Sequence, residues 1–272
     1  MITVAFQGEA GAYSEDAAIK FFGNEIKTIA CESFSEVFAS VSKSVFGIVP
    51  IENSLEGTVG QVADLLLEKN VKIYGEEASK INHCLIAGKN SRIESIKTVY
   101  SHPQALAQCR KFLEKMKFNL VPFYDTAGSV KIIKNGRMKD SAAIASERAA
   151  SIYDMKILAR NIQYAENNYT RFFILSKKNR PHTGNDKTSL ILETNNVPGA
   201  LYNALGVFAK RHINLTKIES RPIKRKVWDY IFYVDVDGHE KEPLIKEAVE
   251  ELKKRALFVK ILGSYPKQSA LM

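Results

Sequence analysis

The chain contains the stretch Asn167-Asn168-Tyr169-Thr170-Arg171-Phe172, which runs directly into the apolar residues Phe173, Ile174 and Leu175. The two asparagines favour a turn, because their short amide side chains hydrogen-bond the local backbone and tolerate left-handed conformations. The apolar run predicts a buried strand. Thr170 and Arg171 are therefore expected where a loop meets a strand, a position that holds polar groups rigidly. Their donors and fixed positive charge suit a small anionic ligand, and a capped strand with an exposed arginine fits these residues equally well.

A second cluster of polar residues follows the predicted strand at 46–51. It begins with Glu52, Asn53 and Ser54, which come directly after the apolar run. We expect this strand to be parallel to its neighbour, and ligands of open α/β sheets bind at the carboxyl ends of such strands. The cluster therefore predicts part of a binding site with Glu52 as a candidate acid. A polar loop that caps a helix is the alternative.

A third cluster follows another predicted strand. Ser101 and His102 precede a proline, which favours the first turn of a helix. Gln104 and Gln108 lie four residues apart, so they share one face of that helix. A lone histidine beside a proline is more often a capping residue than a catalytic one. We expect Ser101 and the two glutamines to contribute to the same site as the first two clusters.

Strands alternate with helices up to about residue 178, which indicates α/β layers. Residues 178–187 contain proline, glycine, asparagine and aspartate, and they predict an exposed linker. Beyond it the pattern is strand, helix, strand, strand, helix and strand, the order of a ferredoxin-like fold. These elements are expected at 188–193, 198–210, 213–221, 228–236 (beginning at Trp228), 242–254 and 258–261.

Composition and charge exclude several classes of protein. The 272 residues carry a net charge of +9, spread along the chain rather than gathered in one arm, so nucleic acid is not an expected partner. Cys31, Cys84 and Cys109 are far apart and form no Cys-x-x-Cys pair, which argues against a disulfide framework or a zinc site. The sequence shows neither an apolar run of membrane-spanning length nor a signal-peptide pattern, so we expect a cytoplasmic protein without a membrane partner.

The turn between the first predicted strand and helix contains Gly8 and Gly11. Their Gly-x-x-Gly spacing matches neither the dinucleotide fingerprint nor the phosphate-binding P-loop. We therefore expect a tight strand-to-helix turn and no nucleotide cofactor.

Six motifs occur in one order along the chain. They are Gly8-x-x-Gly11-x-Tyr13-Ser14, Val49-Pro50-Ile51-Glu52-Asn53-Ser54-x-Glu56-Gly57, Ser101-His102-Pro103-Gln104, Asn168-x-Thr170-Arg171-Phe172, Pro198-Gly199-Ala200-Leu201 and Ile218-Glu219-Ser220-Arg221-Pro222. Together they resemble the monofunctional prephenate dehydratases that carry a regulatory ACT domain at the carboxyl end. The resemblance covers nearly the whole chain, and six motifs in this order are highly specific. One departure is Tyr202, where many members carry valine, and it concerns effector contact rather than chemistry.

The resemblance implies a two-lobed α/β catalytic domain at residues 1–178, similar to type II periplasmic binding proteins. Its second lobe is expected at about 80–155, followed by a linker at 179–187 and a ferredoxin-like ACT domain at 188–265. The implied reaction is the loss of water and carbon dioxide from prephenate, which gives phenylpyruvate in L-phenylalanine biosynthesis. No cofactor is needed.

The resemblance also implies roles for individual residues. Thr170 becomes the favoured hydrogen-bond donor to the leaving hydroxyl, and Glu52 is the alternative proton source. Substrate binding is assigned to Asn53, Ser54, Ser101, Gln104, Gln108, Arg171 and Phe172. Binding of the effector L-phenylalanine is assigned to Asn195, Pro198, Gly199, Ala200, Leu201, Glu219, Ser220 and Arg221. We expect a homodimer or a tetramer that assembles through the ACT domains.

Two other functions remain open on the same residues. Arogenate dehydratase would use the same scaffold on a substrate with an amino group in place of the side-chain keto oxygen. A non-catalytic amino-acid sensor would combine a binding cleft with the effector domain, and such a cleft would not need Thr170.

Overall fold

The computed structural model describes residues 1–223 and 229–268. The chain divides into two compact units. Unit 1 comprises Met1–Val62 and Glu77–Phe172, and unit 2 comprises Ala63–Glu76 and Phe173–Met272. In the described part of the chain, no helix is both long enough and apolar enough to cross a membrane.

The elements alternate as the sequence predicts. In chain order the strands are β1 (Ile2–Gln7), β2 (Ile26–Cys31), β3 (Val45–Asn53), β4 (Gly57–Thr58), β5 (Lys72–Lys80), β6 (Cys84–Ala87), β7 (Thr98–Ser101), β8 (Asn119–Pro122), β9 (Ser141–Ala145), β10 (Lys156–Ala159), β11 (Tyr169–Ser176), β12 (Asp186–Glu193), β13 (Leu215–Pro222), β14 (Tyr230–Asp237) and β15 (Phe258–Pro266). The helices are α1 (Tyr13–Phe22), α2 (Phe34–Ser40), α3 (Gly60–Glu68), α4 (Pro103–Gln108), α5 (Arg110–Met116), α6 (Thr126–Gly136), α7 (Glu147–Ile152), α8 (Ala200–Ala209) and α9 (Pro243–Arg255), and Ile93–Ser95 forms a short 3-10 turn.

Two sheets form the two lobes that the resemblance implies. The first has the strand order β2-β1-β3-β11-β5, with β4 paired to β3. The second has the order β10-β6-β9-β7-β8. Because β1 pairs in parallel with β3, the polar cluster after residue 51 does follow the carboxyl end of a parallel strand, as predicted. The same holds for the cluster after β7, which pairs in parallel with β8 and β9.

One apolar core lies between the elements of unit 1. It combines side chains of β1, such as Phe6, with side chains of β6 and β9, such as Ile86 and Ala143. Every residue of β9 is buried. Its small side chains allow α6 to pack closely, which brings Val130 and Ile133 into the same core.

The turn between β1 and α1 is tight because another helix lies against it. Gly11 has φ +89°, and a Cβ atom added there would lie 2.7 Å from the Cα atom of Ala149 on α7. Ser146 caps α7 and donates from its Oγ to the Gly11 carbonyl at 2.7 Å. The predicted strand-to-helix turn is confirmed, and a close helix contact is the reason that it needs glycine.

Unit 2 contains an antiparallel sheet with the strand order β13-β14-β12-β15. The helices α8 and α9 cover one face of this sheet, where Leu190, Leu192 and Val234 pack against Phe208 and Leu252. This is the ferredoxin-like arrangement that the sequence predicts. The mixed α/β class with a ferredoxin-like domain at the carboxyl end is therefore confirmed.

The first strand of this sheet begins inside the predicted linker. Asp186 and Lys187 belong to β12 and are buried. The Asp186 carboxylate accepts hydrogen bonds from Thr183, and Lys187 forms an ion pair of 2.7 Å with Glu76. Glu76 is far from Lys187 in the sequence, and the segment itself is rich in polar residues. Its composition alone therefore indicated a loop. The predicted strand start at Trp228 lies outside the described residues.

Most of α3 also belongs to unit 2. The Tyr233 hydroxyl donates to the Ala63 carbonyl at 2.8 Å. The Lys260 ammonium donates to the carbonyls of Leu66, Leu67 and Lys69, each at 2.8 Å. These bonds satisfy carbonyl groups that the end of a helix leaves without intrahelical partners.

Candidate active site

A cavity of about 460 Å³ lies in unit 1 and is lined by residues of both lobes. The first sheet contributes Asn53, Thr170 and Phe172 to the lining of this cavity, and α4 contributes Gln104 and Gln108. The prediction that the two glutamines share one face of a helix is confirmed. The structure thus brings together five of the residues that the sequence assigns to catalysis or substrate binding.

Thr170 faces this cavity because of its place on β11. Side chains alternate between the two faces of a strand, so Thr170 and Phe172 share one face and Arg171 lies on the other. Thr170 and Phe172 are both buried and line the cavity. The Thr170 hydroxyl is therefore held by a core strand at the wall of a polar cavity.

The amide of Asn53 fixes the surroundings of that hydroxyl. Its Oδ1 atom accepts from the backbone N–H groups of Leu55 at 3.0 Å and Glu56 at 3.2 Å. The Nδ2 atom therefore points the other way and donates to Thr170 Oγ1 at 3.0 Å and to Asn168 Oδ1 at 2.8 Å. Because an amide nitrogen can only donate, Thr170 Oγ1 is the acceptor in this bond, and its own hydroxyl hydrogen points away from Asn53.

Along the cavity wall, further polar side chains continue from Asn168, and His83 and Tyr13 also line the cavity. The Asn168 Nδ2 atom donates to Gln108 Oε1 at 2.8 Å, and His83 Nε2 lies 3.0 Å from the same oxygen. His83 Nδ1 lies 2.9 Å from the Tyr13 hydroxyl. His83 is 2% exposed, and burial lowers its pKa. Sequence analysis assigned no role to His83 or Tyr13, and the only signal for His83 was a polar residue inside an apolar run.

His102 and Asp125 add two titratable groups to the cavity wall. His102 caps α4, with Nδ1 accepting from the Gln104 N–H at 3.3 Å, so the capping interpretation is confirmed. Asp125 caps α6 and accepts from the Gly128 N–H at 2.9 Å and the Glu9 N–H at 3.1 Å. Burial lowers the pKa of His102 and raises that of Asp125.

The comparisons with known proteins agree with this geometry. Residues 4–180 match the family model described as prephenate dehydratase, and residues 188–254 match the ACT domain model. The chain belongs to the prephenate dehydratase family.

Two relatives illustrate the range of the family. The chain is 44% identical to a bifunctional chorismate mutase/prephenate dehydratase of Aquifex aeolicus over 98% of its own length and 74% of the relative's length. It is 42% identical to a prephenate dehydratase of Methanocaldococcus jannaschii, over 94% of this chain and 95% of the relative.

Two solved structures share the fold over nearly the whole chain. A prephenate dehydratase of Arthrobacter aurescens in complex with L-Phe has a TM-score of 0.89 and 29% identity, covering 100% of this chain and 93% of that one. A protein described as GqqA, a novel type of quorum quenching acylase, has a TM-score of 0.88 and 33% identity, covering 98% of each chain.

Four residues that the sequence assigns to the site do not line the cavity in the described part of the chain. Arg171 donates to Glu52 Oε2 at 2.9 Å on the other face of β11. Ser54 Oγ donates to the Asn167 carbonyl at 2.8 Å, and Ser101 Oγ donates to the Ile144 carbonyl at 2.6 Å. In each case the polar group holds neighbouring chain segments together.

The predicted effector residues lie on unit 2, and half of them are exposed. Asn195, Pro198 and Gly199 precede α8 and are exposed, and Gly199 has φ +79°. Ala200 and Leu201 form the first turn of that helix and are half-buried.

The other effector motif lies on β13. Ser220 is exposed, while Glu219 and Arg221 are half-buried. Glu219 pairs with Lys217 at 3.3 Å, and Arg221 pairs with Asp64 at 3.4 Å. A second cavity, of about 380 Å³, lies next to the end of β13 and is lined by Asp64, Leu67, Glu68, Glu193, Pro222, Ile223, Ile231 and Phe258.

Proposed function

We propose that the cavity of unit 1 binds prephenate and that Thr170 donates a hydrogen bond to the ring hydroxyl as it leaves. In the family's reaction the C–O bond to that hydroxyl breaks, and the oxygen takes up one proton to leave as water. The C–C bond to the ring carboxylate also breaks, carbon dioxide leaves, and the bonding pair makes the ring aromatic. A donor aimed at the leaving oxygen stabilises the negative charge that develops there.

One observation carries this proposal. The Asn53 amide is held by two backbone N–H groups and donates to Thr170 Oγ1, which directs the hydroxyl hydrogen of Thr170 away from Asn53, and Thr170 lines the cavity. General acid catalysis by a positioned group is worth roughly 10²–10⁴-fold in rate. A threonine hydroxyl is a weak acid, so the net proton comes from another group.

Asp125 is better placed than Glu52 to supply that proton. It lines the cavity, and burial raises its pKa, which favours the protonated carboxylic acid. Glu52 lies on the other face of β11, where it pairs with Arg171. We assign this ion pair to holding β11 against β3 beside Thr170, and not to binding the carboxylates of prephenate.

The described residues that line the cavity include neither lysine nor arginine. The substrate carboxylates are therefore held by neutral donors, among which Ser14, Ser33, Gln104 and Thr126 line the cavity. This suits a decarboxylation, because a tight ion pair with the departing carboxylate would stabilise the ground state and slow its loss.

Arogenate is the second candidate substrate. The carboxylate of Glu32 lines the same cavity, and an ammonium group on the substrate side chain would suit it better than a keto oxygen. The two activities are distinguished by assay. Purified protein is incubated with either substrate, phenylpyruvate is followed by its absorbance in alkali, and phenylalanine is followed by chromatography. Turnover of neither substrate would overturn the proposed reaction.

L-phenylalanine is the effector that we propose for the ACT domain. The exposed turn before α8 and the motif on β13 are the candidate contacts, and pairing of two ACT domains would cover them. A free sheet edge favours such pairing. We expect a dimer or a dimer of dimers in light scattering, and saturable phenylalanine binding in calorimetry. A monomer at working concentration would contradict the assembly.

The domain limits that we propose are a catalytic region at 1–178, with its second lobe at about 80–155, a linker that begins at 179 and ends where β12 starts at Asp186, and an ACT domain from there to 265. We further propose a monofunctional cytoplasmic enzyme, in line with the relative from M. jannaschii, of which the chain covers 95%. Incubation with chorismate tests the first point, since a chorismate mutase activity would produce prephenate and contradict it.

A further inference from the structure

A continuous row of hydrogen bonds runs along the cavity wall and ends at the proposed catalytic donor. We call it the polar row; its members are Tyr13, His83, Gln108, Asn168, Asn53 and Thr170. The middle of the row is shielded from solvent, since Asn168 is 0% exposed, His83 2% and Gln108 3%. Inside a protein, each such group must have its partners in the right orientation, because a buried polar group without one is costly.

The orientation of the row is set at one end by the backbone. Because Asn53 Oδ1 accepts from two backbone N–H groups, a flip of this amide would lose both bonds. Its Nδ2 atom therefore donates to Asn168 Oδ1. The Asn168 amide is oriented in turn, and its Nδ2 atom donates to Gln108 Oε1 at 2.8 Å.

The same logic fixes the tautomer of His83. Gln108 presents its oxygen to Asn168, and the atom that lies 3.0 Å from that oxygen is His83 Nε2. Two acceptors cannot bond each other, so Nε2 carries the hydrogen. The other ring nitrogen, Nδ1, is then an acceptor in the neutral ring. The Tyr13 hydroxyl lies 2.9 Å from Nδ1 and 2.8 Å from the Asn82 carbonyl, so its one hydrogen is shared between these two acceptors.

We propose that His83 is a positioning residue for catalysis. It holds the oxygen of Gln108 and so fixes the direction of the polar row, which orients the hydroxyl of Thr170. With its oxygen held by two donors, Gln108 has only its NH₂ group left for a ligand in the cavity that it lines. This inference rests on the proposed function, because it presumes that Thr170 acts on the substrate.

The alternative is a histidine that is buried only for stability. Both roles lower the melting temperature when His83 is replaced, so stability alone does not distinguish them. The two roles differ in the tautomer of the ring, in the parameter of the reaction that changes, and in the dependence on Thr170. Three measurements on the full chain follow these differences.

The first measurement is nitrogen NMR of protein labelled with ¹⁵N-histidine at neutral pH. The chain has 5 histidines, and the His83 signals are those that disappear in His83→Gln. We expect a neutral ring protonated at Nε2, with an unprotonated Nδ1. A ring protonated at Nδ1 alone, or a charged ring, would overturn the inference, whatever the protein's activity proves to be.

The second measurement is steady-state kinetics of His83→Phe and His83→Gln with prephenate. The phenylalanine ring fills the space but donates nothing, so we expect kcat to fall about tenfold or more while KM changes less than about threefold, since a misplaced group near the reaction loses rate rather than binding. The glutamine can donate from its NH₂ group, and we expect it to restore part of the loss. Equal activity of His83→Phe and the parent would overturn the inference.

Tyr13→Phe covers the case in which His83→Phe does not fold. It keeps the aromatic ring of Tyr13 and removes the hydroxyl that lies beside His83 Nδ1 and the Asn82 carbonyl, and we expect a smaller fall in kcat of the same type. Tyr124→Phe is the matched control, because Tyr124 also lines the cavity but its hydroxyl donates to Glu9 and is not part of the polar row. Equal effects of the two substitutions on kcat would count against the polar row.

The third measurement places His83→Phe in the Thr170→Val background. If His83 acts through Thr170, the second substitution lowers kcat no further, whereas independent roles multiply. A full additional loss would overturn the inference. If Thr170→Val alone leaves kcat unchanged, the proposed role of Thr170 fails, and that outcome is distinct from a wrong tautomer of His83.

Discussion

The catalytic cavity and the predicted effector motifs use polar residues in opposite ways. In the cavity wall, Asn53, Gln108 and Asn168 are buried and hydrogen-bond one another. On unit 2, Asn195 and Gly199 are exposed. Two large apolar side chains near these residues in the sequence are also exposed to solvent, Val197 to 60% and Tyr202 to 81%.

The difference shows which site is complete in a single chain. Polar side chains that already hold each other in place are preorganised for catalysis, because they do not have to be ordered when the substrate binds. Exposed apolar side chains next to polar ones are typical of surfaces that bind a partner or a ligand. The catalytic site thus depends on the interior of unit 1, and the effector site depends on what covers unit 2.

The largest expected effect comes from Thr170→Val, which keeps the side-chain shape and removes the hydroxyl. We expect kcat for prephenate to fall by about 10²–10³-fold, as for the loss of one aimed donor. Thr170→Ser keeps a hydroxyl and is the matched control, with a smaller loss. A fall of less than about tenfold in Thr170→Val would show that another group acts on the leaving oxygen.

The second prediction compares the glycines of the two regions. Gly11 and Gly199 both have positive φ, but a Cβ at Gly11 meets the Ala149 backbone at 2.7 Å, while the nearest atom to one at Gly199 is Asn203 Nδ2 at 3.7 Å. We expect Gly11→Ala to cost about 2–4 kcal/mol of stability, from backbone strain and overpacking together. Gly199→Ala should cost only the strain, about 1–2 kcal/mol.

Thermal unfolding of both variants measures this difference. For a unit of this size, each kcal/mol corresponds to roughly 2–4 °C in Tm. Equal shifts would mean that the contact between Gly11 and α7 is looser than the structure describes. Gly199→Ala should keep its kcat, since the turn before α8 is remote in sequence from the cavity-lining residues.

The third prediction concerns the ion pair between Arg171 and Glu52. The two side chains are 20% and 38% exposed, and such a pair contributes up to about 1 kcal/mol. We expect Arg171→Gln and Glu52→Gln to lower kcat/KM by similar factors of less than about tenfold, with no further loss in the double variant.

A double-mutant cycle on kcat/KM checks this expectation. If Arg171 binds a carboxylate of the substrate, Arg171→Gln should raise KM far more than Glu52→Gln does. That result would restore the role that sequence analysis assigned to Arg171.

Sequence analysis found the strand that carries Thr170 and the helix that carries Gln104 and Gln108, because both depend on local patterns. It missed that Thr170 and Arg171, as neighbours on a strand, face opposite sides. The opposite directions of these two side chains follow from the two-residue period of a strand, so they could have been predicted from the sequence.

The polar row could not be predicted from the sequence in the same way. His83 bonds Gln108, which is 25 residues away, and Gln108 bonds Asn168, which is 60 residues away. No spacing rule connects such residues, and only the packing of α4 against the loop before β11 brings them together. Sequence motifs therefore located the donor but not the groups that orient it.

The smallest expected effect concerns communication between the two regions. Within unit 2, Asp64 on α3 pairs with Arg221 of the effector motif at 3.4 Å. Arg221 belongs to the proposed effector motif, so loss of this ion pair would change the motif that phenylalanine is proposed to contact. Allosteric coupling typically amounts to about 1–3 kcal/mol, and this half-buried pair supplies a fraction of it.

We expect Asp64→Asn to leave kcat without effector unchanged and to weaken inhibition by phenylalanine about two- to fivefold, as measured by inhibition curves at fixed prephenate. Glu68→Gln, one turn later on α3, is the matched control, since it removes a charge of the same sign from the same helix. If both substitutions weaken inhibition equally, the effect comes from the charge of α3 and not from its ion pair with Arg221.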